Sequence, residues 1–165
     1  MTQEKRSVSH PMNELPRRRR PNVPAASSPE ALDRMRRTGQ RDTSAEHALR
    51  SVLFRMGLRY RVDLAPLVGL RRRADVVFTR AKVAVFVDGC FWHGCPVHAT
   101  WPKANAEFWR TKIETNGTRD QDTNRRLIEA GWVVIRVWEH EEPEVAAKTI
   151  ARTVRTSLRR RKGVR

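Results

Sequence analysis

Residues 82–98 have the sequence KVAVFVDGCFWHGCPVH, an apolar run that ends at an acid and is followed by cysteines, histidines and aromatics. Val83, Val85 and Val87 are β-branched and lie on a short run bounded by polar residues, which predicts a buried strand ending at Asp88. Residues of metal-binding types follow the strand: Cys90, His93, Cys95 and His98. We therefore expect the chemistry of the protein to be concentrated at the end of this strand.

The composition favours a polyanionic partner. The chain has 165 residues, enough for one domain with its own core, and a formal net charge of +16, which favours nucleic acid. No apolar run reaches the roughly 18 residues of a membrane span, and no apolar segment follows the basic N-terminus as in a signal peptide. We expect a cytoplasmic, nucleoid-associated protein without a membrane partner, in which Cys90 and Cys95 bind metal rather than form a disulfide.

Three regions of the chain differ in composition. Residues 1–32 are rich in Pro, Ser and Arg and nearly lack large apolar side chains, which predicts a disordered basic tail. The run at residues 17–20, Arg17-Arg18-Arg19-Arg20, is either part of a solvated extension or a phosphate-binding arm. Residues 33–160 have the hydrophobic patterning of a folded domain, and residues 161–165 form a basic C-terminal end.

The first half of the domain predicts a helix and three strands. Thr43 and Glu46 have the spacing of a capping box and are followed by apolar residues at helical spacing. Residues 58–62 alternate apolar and basic side chains like a half-buried strand. Residues 74–78 predict a second strand, and residues 79–81 are few enough to join it as a hairpin to the next strand.

The second half predicts two helices, a strand and a last helix. Residues 106–116 and 119–130 have helical character, and Gly131 is placed to end the second helix. Residues 132–138 predict a strong apolar strand, and Pro143 is suited to the first turn of the last helix. This order of elements predicts an α/β fold with a mixed central β-sheet flanked by helices.

A first group of candidate ligands is acidic. Glu46 lies on the first predicted helix, Asp75 near the start of one strand and Asp88 at the end of the next. Carboxylates that converge at one end of a sheet suit Mg²⁺, which takes oxygen ligands and retains waters for chemistry. Two alternatives stay open, in which Glu46 only completes the capping box and Asp75 only pairs with Arg73.

A second group has the ligand types of a structural zinc site: Cys90, Cys95, His98 and His140. Two thiolates and two imidazoles form a closed tetrahedral site, which would stabilise a long loop that lacks its own core. For His140 the alternative is a surface histidine beside Glu139 and Glu141.

Aromatic and basic residues occur together around the same loop. Phe91 and Trp92 lie between the candidate zinc ligands, and Trp109 is followed by Arg110 and Lys112. Exposed aromatics interleaved with cations suit stacking on bases or wedging between them. For Trp109 the alternative is a place in the core.

Six motifs combine these residues: RDTxxE at 41–46, ADVV at 74–77, VDGCFWHGCPxH at 87–98, FWxxKIxxN at 108–116, RD at 119–120 and GWxVxxxWE at 131–139. They closely resemble the very short patch repair (Vsr-type) DNA mismatch endonucleases, over residues 34–158. The resemblance implies a restriction-endonuclease-like α/β core with a zinc-stabilised loop. It also implies Mg²⁺-dependent hydrolysis of one DNA strand at a T:G mismatch, such as deamination of 5-methylcytosine produces.

The resemblance also implies a role for each candidate residue. Asp75 and the backbone carbonyl of Val87 match ligands of catalytic Mg²⁺, for which we expect two ions. Glu46 matches the glutamate on the first helix, and His93 matches the histidine that assists the attacking water. The aromatics that enter DNA beside the mismatch correspond to Phe91, Trp92 and Trp109. The ligands of one structural Zn²⁺ correspond to Cys90, Cys95, His98 and His140.

The sequence departs from the family pattern at three positions. His140 stands where some members have cysteine, Ala74 replaces a frequent proline, and Asp88 replaces a histidine of the best-known member. Three roles therefore stay open for Asp88: a direct metal ligand, an acid that contacts a ligand, or a proton shuttle.

The partners expected from the resemblance are double-stranded DNA with a T:G mismatch and mismatch-repair proteins, and we expect a monomer. Two other functions stay open. One is a restriction-type or less specific DNA nuclease on the same fold. The other is a zinc-stabilised DNA-binding module without catalysis, in which Glu46, Asp75 and His93 are incidental.

Overall fold

The computed structural model describes residues 42–98, 101 and 103–163, so the predicted tail at 1–32 lies outside the described residues. The elements in chain order are α1 (Ser44–Arg55), β1 (Arg61–Leu64), β2 (Ala74–Phe78), β3 (Val83–Asp88), α2 (Ala106–Glu129), β4 (Val133–Trp138) and α3 (Pro143–Lys162). Within the described ranges, no helix is both long enough and apolar enough to cross a membrane.

The four strands form one mixed sheet in the order β1-β2-β3-β4. β2 pairs antiparallel with β1 and with β3, whereas β3 and β4 are parallel. The predictions of a mixed sheet and of a hairpin between β2 and β3 are confirmed. Because β2 begins at the edge where β3 ends, Asp75 and Asp88 lie at the same edge of the sheet.

Helices cover both faces of the sheet. On one face, α1 and α3 pack their buried Leu53 and Ile150 against Val85 of β3. On the other face, Leu127 of α2 packs in a second cluster with Phe86 of β3. β3 is thus buried on both faces, which explains why its sequence is continuously apolar rather than alternating.

α1 begins as predicted, but β1 does not. Thr43 Oγ1 accepts a hydrogen bond from the Glu46 N–H at 3.3 Å, and the Glu46 carboxylate accepts one from the Thr43 N–H at 3.4 Å, so the capping box is confirmed. The strand predicted at 58–62 is wrong in its bounds, since β1 begins at Arg61. Leu58 and Tyr60 pack against the core beside α1 instead of pairing in the sheet.

The prediction of two helices before β4 is also wrong, because α2 is continuous from Ala106 to Glu129. Its buried residues recur along one face at helical spacing: Trp109, Ile113, Asn116, Thr123 and Leu127. Gly117 lies in the middle of the helix, where glycine costs about 1 kcal/mol relative to alanine. Packing along an unbroken face outweighs this cost, so the glycine does not end the helix.

Candidate active site and metal-binding loop

A cleft of about 580 Å³ opens at the edge of the sheet where β3 ends. The five residues predicted for catalysis or Mg²⁺ binding all line it: Glu46, Asp75, Val87, Asp88 and His93. Cations line it as well: Arg71, Arg72, Arg73, Lys112, Arg119 and Arg136. The fold therefore places carboxylates, a histidine and several cations in one cleft, although they come from different elements of the chain.

The ionisation of Asp75 is strongly perturbed by its surroundings in the cleft. Its Oδ2 accepts a hydrogen bond from the Val87 N–H at 2.7 Å. The pKa of Asp75 is raised to about 6, chiefly by burial; the charges of Glu46 and Asp88 act in the same direction, and this hydrogen bond acts against them. A carboxylate with this surplus of nearby negative charge is stabilised in its ionised form by a bound cation.

The two alternatives for the acidic group have different outcomes. Arg73 binds Asp63, with 2.8 Å between Nε and Oδ1, so the interpretation of Asp75 as its ion-pair partner is wrong. The capping-box interpretation of Glu46 is confirmed, and its Oε2 also accepts from Arg50 at 3.2 Å. Glu46 is buried while it lines the cleft, so helix capping and a role in the site are compatible.

Asp88 is held by Arg136, a residue of β4 that the sequence did not single out. The Arg136 guanidinium donates from Nε to Asp88 Oδ2 at 2.5 Å and from NH2 to Oδ1 at 2.6 Å. The Asp88 side chain is only 7% exposed. Both carboxylate oxygens are therefore engaged by a guanidinium fork in a nearly water-free position, which is the strong geometry for such a pair.

Asp120 on α2 is the second residue that the sequence analysis left without a role. Its Oδ2 lies 2.5 Å from Nδ1 of His93, and its Oδ1 lies 3.1 Å from NH2 of Arg136. Burial opposes ionisation of Asp120, but the His93 hydrogen bond and the Arg136 charge outweigh burial and lower its pKa. A carboxylate on Nδ1 leaves Nε2 of the ring as the nitrogen available to the cleft.

The only sequence signal for these two residues was weak. Asp120 stands in the RD motif at 119–120, and Arg136 is a lone cation within an apolar strand. A charge inside a buried strand predicts a buried partner, because an isolated ion there would be unfavourable. The sequence does not say which acid is that partner.

The four predicted zinc ligands lie together, with one potential ligand atom from each within 4.8 Å of every other. His140 Nδ1 is 3.1 Å from Cys90 Sγ and 3.8 Å from Cys95 Sγ, and His98 Nδ1 is 3.9 Å from Cys95 Sγ. Both cysteines are buried. Two thiols and two imidazoles converging on one point are the donor set that fits a tetrahedral Zn²⁺.

The ionisation of the two thiols also fits a cation. The pKa of Cys90 is raised to about 12, chiefly by burial, with the neighbouring Cys95 and Glu139 acting in the same direction. Burial opposes ionisation of Cys95 as well, but the N–H groups of His98 and Val97 outweigh it and lower its pKa. The pair therefore does not readily carry two negative charges without a cation between them.

The aromatic residues of the loop form one cluster with α2. The ring centroids of Phe91 and Trp109 are 5.3 Å apart and those of Trp92 and Trp109 are 5.8 Å apart. Trp109 is 9% exposed and forms the base of the cluster, while Phe91 and Trp92 are half-buried. In this conformation Phe91 and Trp92 are the accessible rings, and Trp109 would reach a base only after the cluster opens.

The loop is fastened to α2 by two close approaches. Asn116 Nδ2 donates to the backbone oxygen of Trp92 at 2.9 Å. Gly94 has φ +63°, and a Cβ there would lie 3.0 Å from Cγ2 of Ile113. A side chain at position 94 would therefore both strain the backbone and push the loop away from the helix.

The chain is similar to several known proteins. A family model described as DNA mismatch endonuclease Vsr matches residues 30–99. The type II nicking enzyme V.NaeI of Lentzea aerocolonigenes is 47% identical over 121 residues, which cover 72% of this chain and 71% of the relative. V.NmeDIP of Neisseria meningitidis serogroup C, also named a type II nicking enzyme, is 37% identical over 138 residues, which cover 79% of this chain and 86% of the relative. The DNA mismatch endonuclease Vsr of Escherichia coli (strain K12) is 41% identical over 107 residues, which cover 64% of this chain and 66% of the relative.

The cleft and these relatives together define a DNA endonuclease, a hydrolase of phosphodiester bonds. The mixed sheet with helices on both faces is consistent with an α/β nuclease fold. The chain belongs to the Vsr family of DNA mismatch endonucleases. The alternative of a DNA-binding module without catalysis is therefore wrong.

Proposed function

We propose that this endonuclease nicks one strand of duplex DNA at T:G mismatches, in a reaction that depends on Mg²⁺. The observation that carries the proposal is the cleft itself, in which Asp75 and the His93–Asp120 pair face the same space as six cations. A duplex entering this cleft brings its phosphate next to oxygen ligands for a cation and next to a proton acceptor.

We propose a role for each of these residues, supported by its place in the cleft. Asp75 and the backbone carbonyl of Val87 bind the catalytic Mg²⁺ ions, with Glu46 beside them. Bound Mg²⁺ supplies a nucleophilic water and stabilises negative charge on the phosphate. His93 accepts or orients the proton of that water, and Asp120 holds its ring through Nδ1. Asp88 serves through Arg136 rather than as a direct ligand, because both of its oxygens bind the guanidinium.

We propose that Phe91, Trp92 and Trp109 read the mismatch by entering the duplex. A T:G wobble pair is weakly stacked and easily deformed, so opening the duplex there costs less than at a Watson–Crick pair. We also propose that the domain spans residues 33–160, that its core is restriction-endonuclease-like and that zinc stabilises its loop. Mismatch-repair proteins are the protein partners that we propose.

A nicking assay with Mg²⁺ tests the function. Two duplexes of one sequence are compared, one matched and one carrying a single T:G pair, in several flanking contexts, and nicks are resolved on each strand. We expect nicking of one strand of the mismatched duplex only. Nicking of the matched duplex at the same rate would contradict mismatch specificity.

The names of several relatives favour a second candidate, since V.NaeI and V.NmeDIP are both called type II nicking enzymes. This candidate is strand-specific nicking at a particular sequence in fully paired DNA. In the same assay it predicts nicks confined to one flanking context, whether or not the T:G pair is present.

Zinc should be retained at about one equivalent per chain when the protein is purified without added metal. His140→Ala should lower the zinc affinity by more than the roughly 10- to 100-fold typical of residues that only support ligands. Metal analysis after dialysis measures both. The control is His47→Ala, since His47 is exposed on α1 and remote in sequence from the four ligands. Equal zinc content in the two variants would show that His140 is only a surface residue.

Trp92→Ala should lower the ratio of the affinities for mismatched and matched duplex roughly 5- to 150-fold, because stacking on a base is lost. This factor corresponds to about 1–3 kcal/mol of binding free energy. The dependence of affinity on salt should hardly change, because it reflects phosphate contacts. Fluorescence anisotropy over a salt series measures both quantities, with Trp101→Ala as the control because Trp101 is 58% exposed. An unchanged ratio with a lower melting temperature would place Trp92 in the core instead.

A further inference from the structure

The outer face of α3 carries cations that the catalytic cleft does not use. Five exposed residues share this face at the spacing i, i+4, i+7, i+11 and i+14: Lys148, Arg152, Arg155, Arg159 and Lys162. At 3.6 residues per turn this spacing aligns all five along one side of the helix, over a length of about 21 Å. We call this set the α3 stripe.

The opposite face of α3 fixes the direction of the stripe. Ala147, Ile150 and Val154 are buried against the sheet and α1. Near the C-terminus, Ser157 Oγ donates to the backbone oxygen of Ala81 at 2.6 Å, and Arg161 donates to that of Gly131 at 2.9 Å. The last turns of α3 are thereby fastened to the core, and the stripe faces solvent.

Among the described residues, no acidic side chain compensates the charge of the stripe. No acidic residue occurs in the sequence after Glu144. In the part of the chain that the structure describes, no ion pair includes a stripe residue. On α2, by contrast, the exposed Arg125 and Arg126 both pair with Asp122. Like charges three or four residues apart destabilise a helix, so the stripe favours an anion from outside the chain.

We propose that the α3 stripe is a second DNA-binding surface, which binds the phosphate backbone of a duplex other than the one in the cleft. Among the described residues that line the cleft, none belongs to α3, and α3 covers the face of the sheet opposite to α2. Duplex DNA carries one negative charge per about 1.7 Å of axis, so about 21 Å of stripe faces many phosphates and no particular base. One protein molecule can then hold two DNA segments and transfer between them.

A capture assay with the full chain tests this proposal. The protein is bound to an immobilised T:G duplex without added Mg²⁺, and a fluorescent matched duplex is then added. The stripe variant combines Arg152→Glu, Arg155→Glu and Arg159→Glu. The control combines Arg55→Glu, Arg61→Glu and Arg80→Glu, which changes the net charge equally at exposed positions outside the stripe. A milder stripe variant, with glutamine at the same three positions, covers the case in which the charge reversal unfolds α3.

We expect the unaltered protein and the control to capture the second duplex, and the stripe variant to lose capture at least about tenfold, with a salt slope lower by about three. Single-turnover nicking at saturating DNA should be unchanged in both variants. Analytical ultracentrifugation should find one protein with two duplexes.

Three outcomes would overturn the proposal. The first is undiminished capture by both stripe variants, which would place the second site elsewhere, for example in the 17–20 arginine run. The second is an equal loss in the control, which would reduce the effect to net charge. The third is stripe-dependent binding of anionic lipid vesicles without capture of the second duplex. Because nicking is read separately, failure of this proposal is distinguishable from failure of the proposed function.

Discussion

Asp75→Ala should abolish nicking, by about a thousandfold or more, while the fold and mismatch binding are retained. The substitution removes the proposed cation ligand from the cleft, and the loss of several kcal/mol of transition-state stabilisation corresponds to this factor. It also removes a half-buried carboxylate whose pKa is raised to about 6, so ionisation is unfavourable there and the fold should not be weakened. Single-turnover nicking, DNA affinity and thermal melting measure the three effects.

Glu129→Ala is the matched control, because Glu129 is a carboxylate with a side chain 60% exposed on α2. Its nicking rate should equal that of the unaltered protein. Nearly full activity of Asp75→Ala would show that the cation is held elsewhere, and the group of Asp88, His93 and Asp120 would then be the remaining candidate.

The pH dependence of the Mg²⁺ requirement gives a second test of Asp75 as a cation ligand. Below about pH 6 the free Asp75 is largely protonated, so a proton competes with the cation for its oxygens. The Mg²⁺ concentration for half-maximal nicking should therefore rise as the pH falls through 6, and it should be nearly constant above pH 7. A requirement independent of pH across this range would argue against Asp75 as a ligand.

Arg136→Met should lower the free energy of unfolding by about 3–5 kcal/mol, because it leaves Asp88 as a buried carboxylate without its two hydrogen bonds. Asp120 loses its contact with the same guanidinium, so the His93 ring should also be less well oriented. Urea unfolding at neutral pH with zinc present measures the stability, and the nicking rate reports on His93.

Two further variants separate a lost ion pair from lost packing. Arg136→Met combined with Asp88→Leu should recover most of the stability, since no buried charge is left unpaired. Arg125→Met should change stability by less than about 1 kcal/mol, because its pairs with Asp122 and Glu129 are exposed. A loss below about 1 kcal/mol in Arg136→Met would show that water reaches Asp88 and that the pair is not structural.

Local patterns in the sequence were sufficient for much of the fold. The capping box at Thr43, the β2–β3 hairpin and the apolar run of β3 each depend on residues close together in the chain. The same holds for the cluster of Cys90, Cys95, His98 and His140, in which three of the four residues lie within the segment 90–98. Such features follow from local hydrogen bonds, hydrophobic periodicity and ligand spacing, which a sequence displays directly.

Boundaries that depend on distant packing were not predictable in this way. Residues 106–116 and 119–130 were predicted to be two helices, but α2 is continuous because its inner face packs without interruption against the sheet and the loop. Residues 58–60 alternate like a strand, yet Leu58 and Tyr60 are drawn to the core beside α1. In both places tertiary contacts outweighed a local preference worth about 1 kcal/mol.

By itself the sequence determined the class of chemistry: the carboxylates, the histidine, the zinc-type ligands, the aromatics and the excess of cations are all visible in it. Only the tertiary structure decided which groups act together. It paired Asp88 with Arg136, placed Asp120 against His93 and left the described residues of α3 outside the lining of the cleft. The physical reason is that a buried charge is tolerated only beside its partner, and that partner is selected by strand and helix packing between residues far apart in the chain.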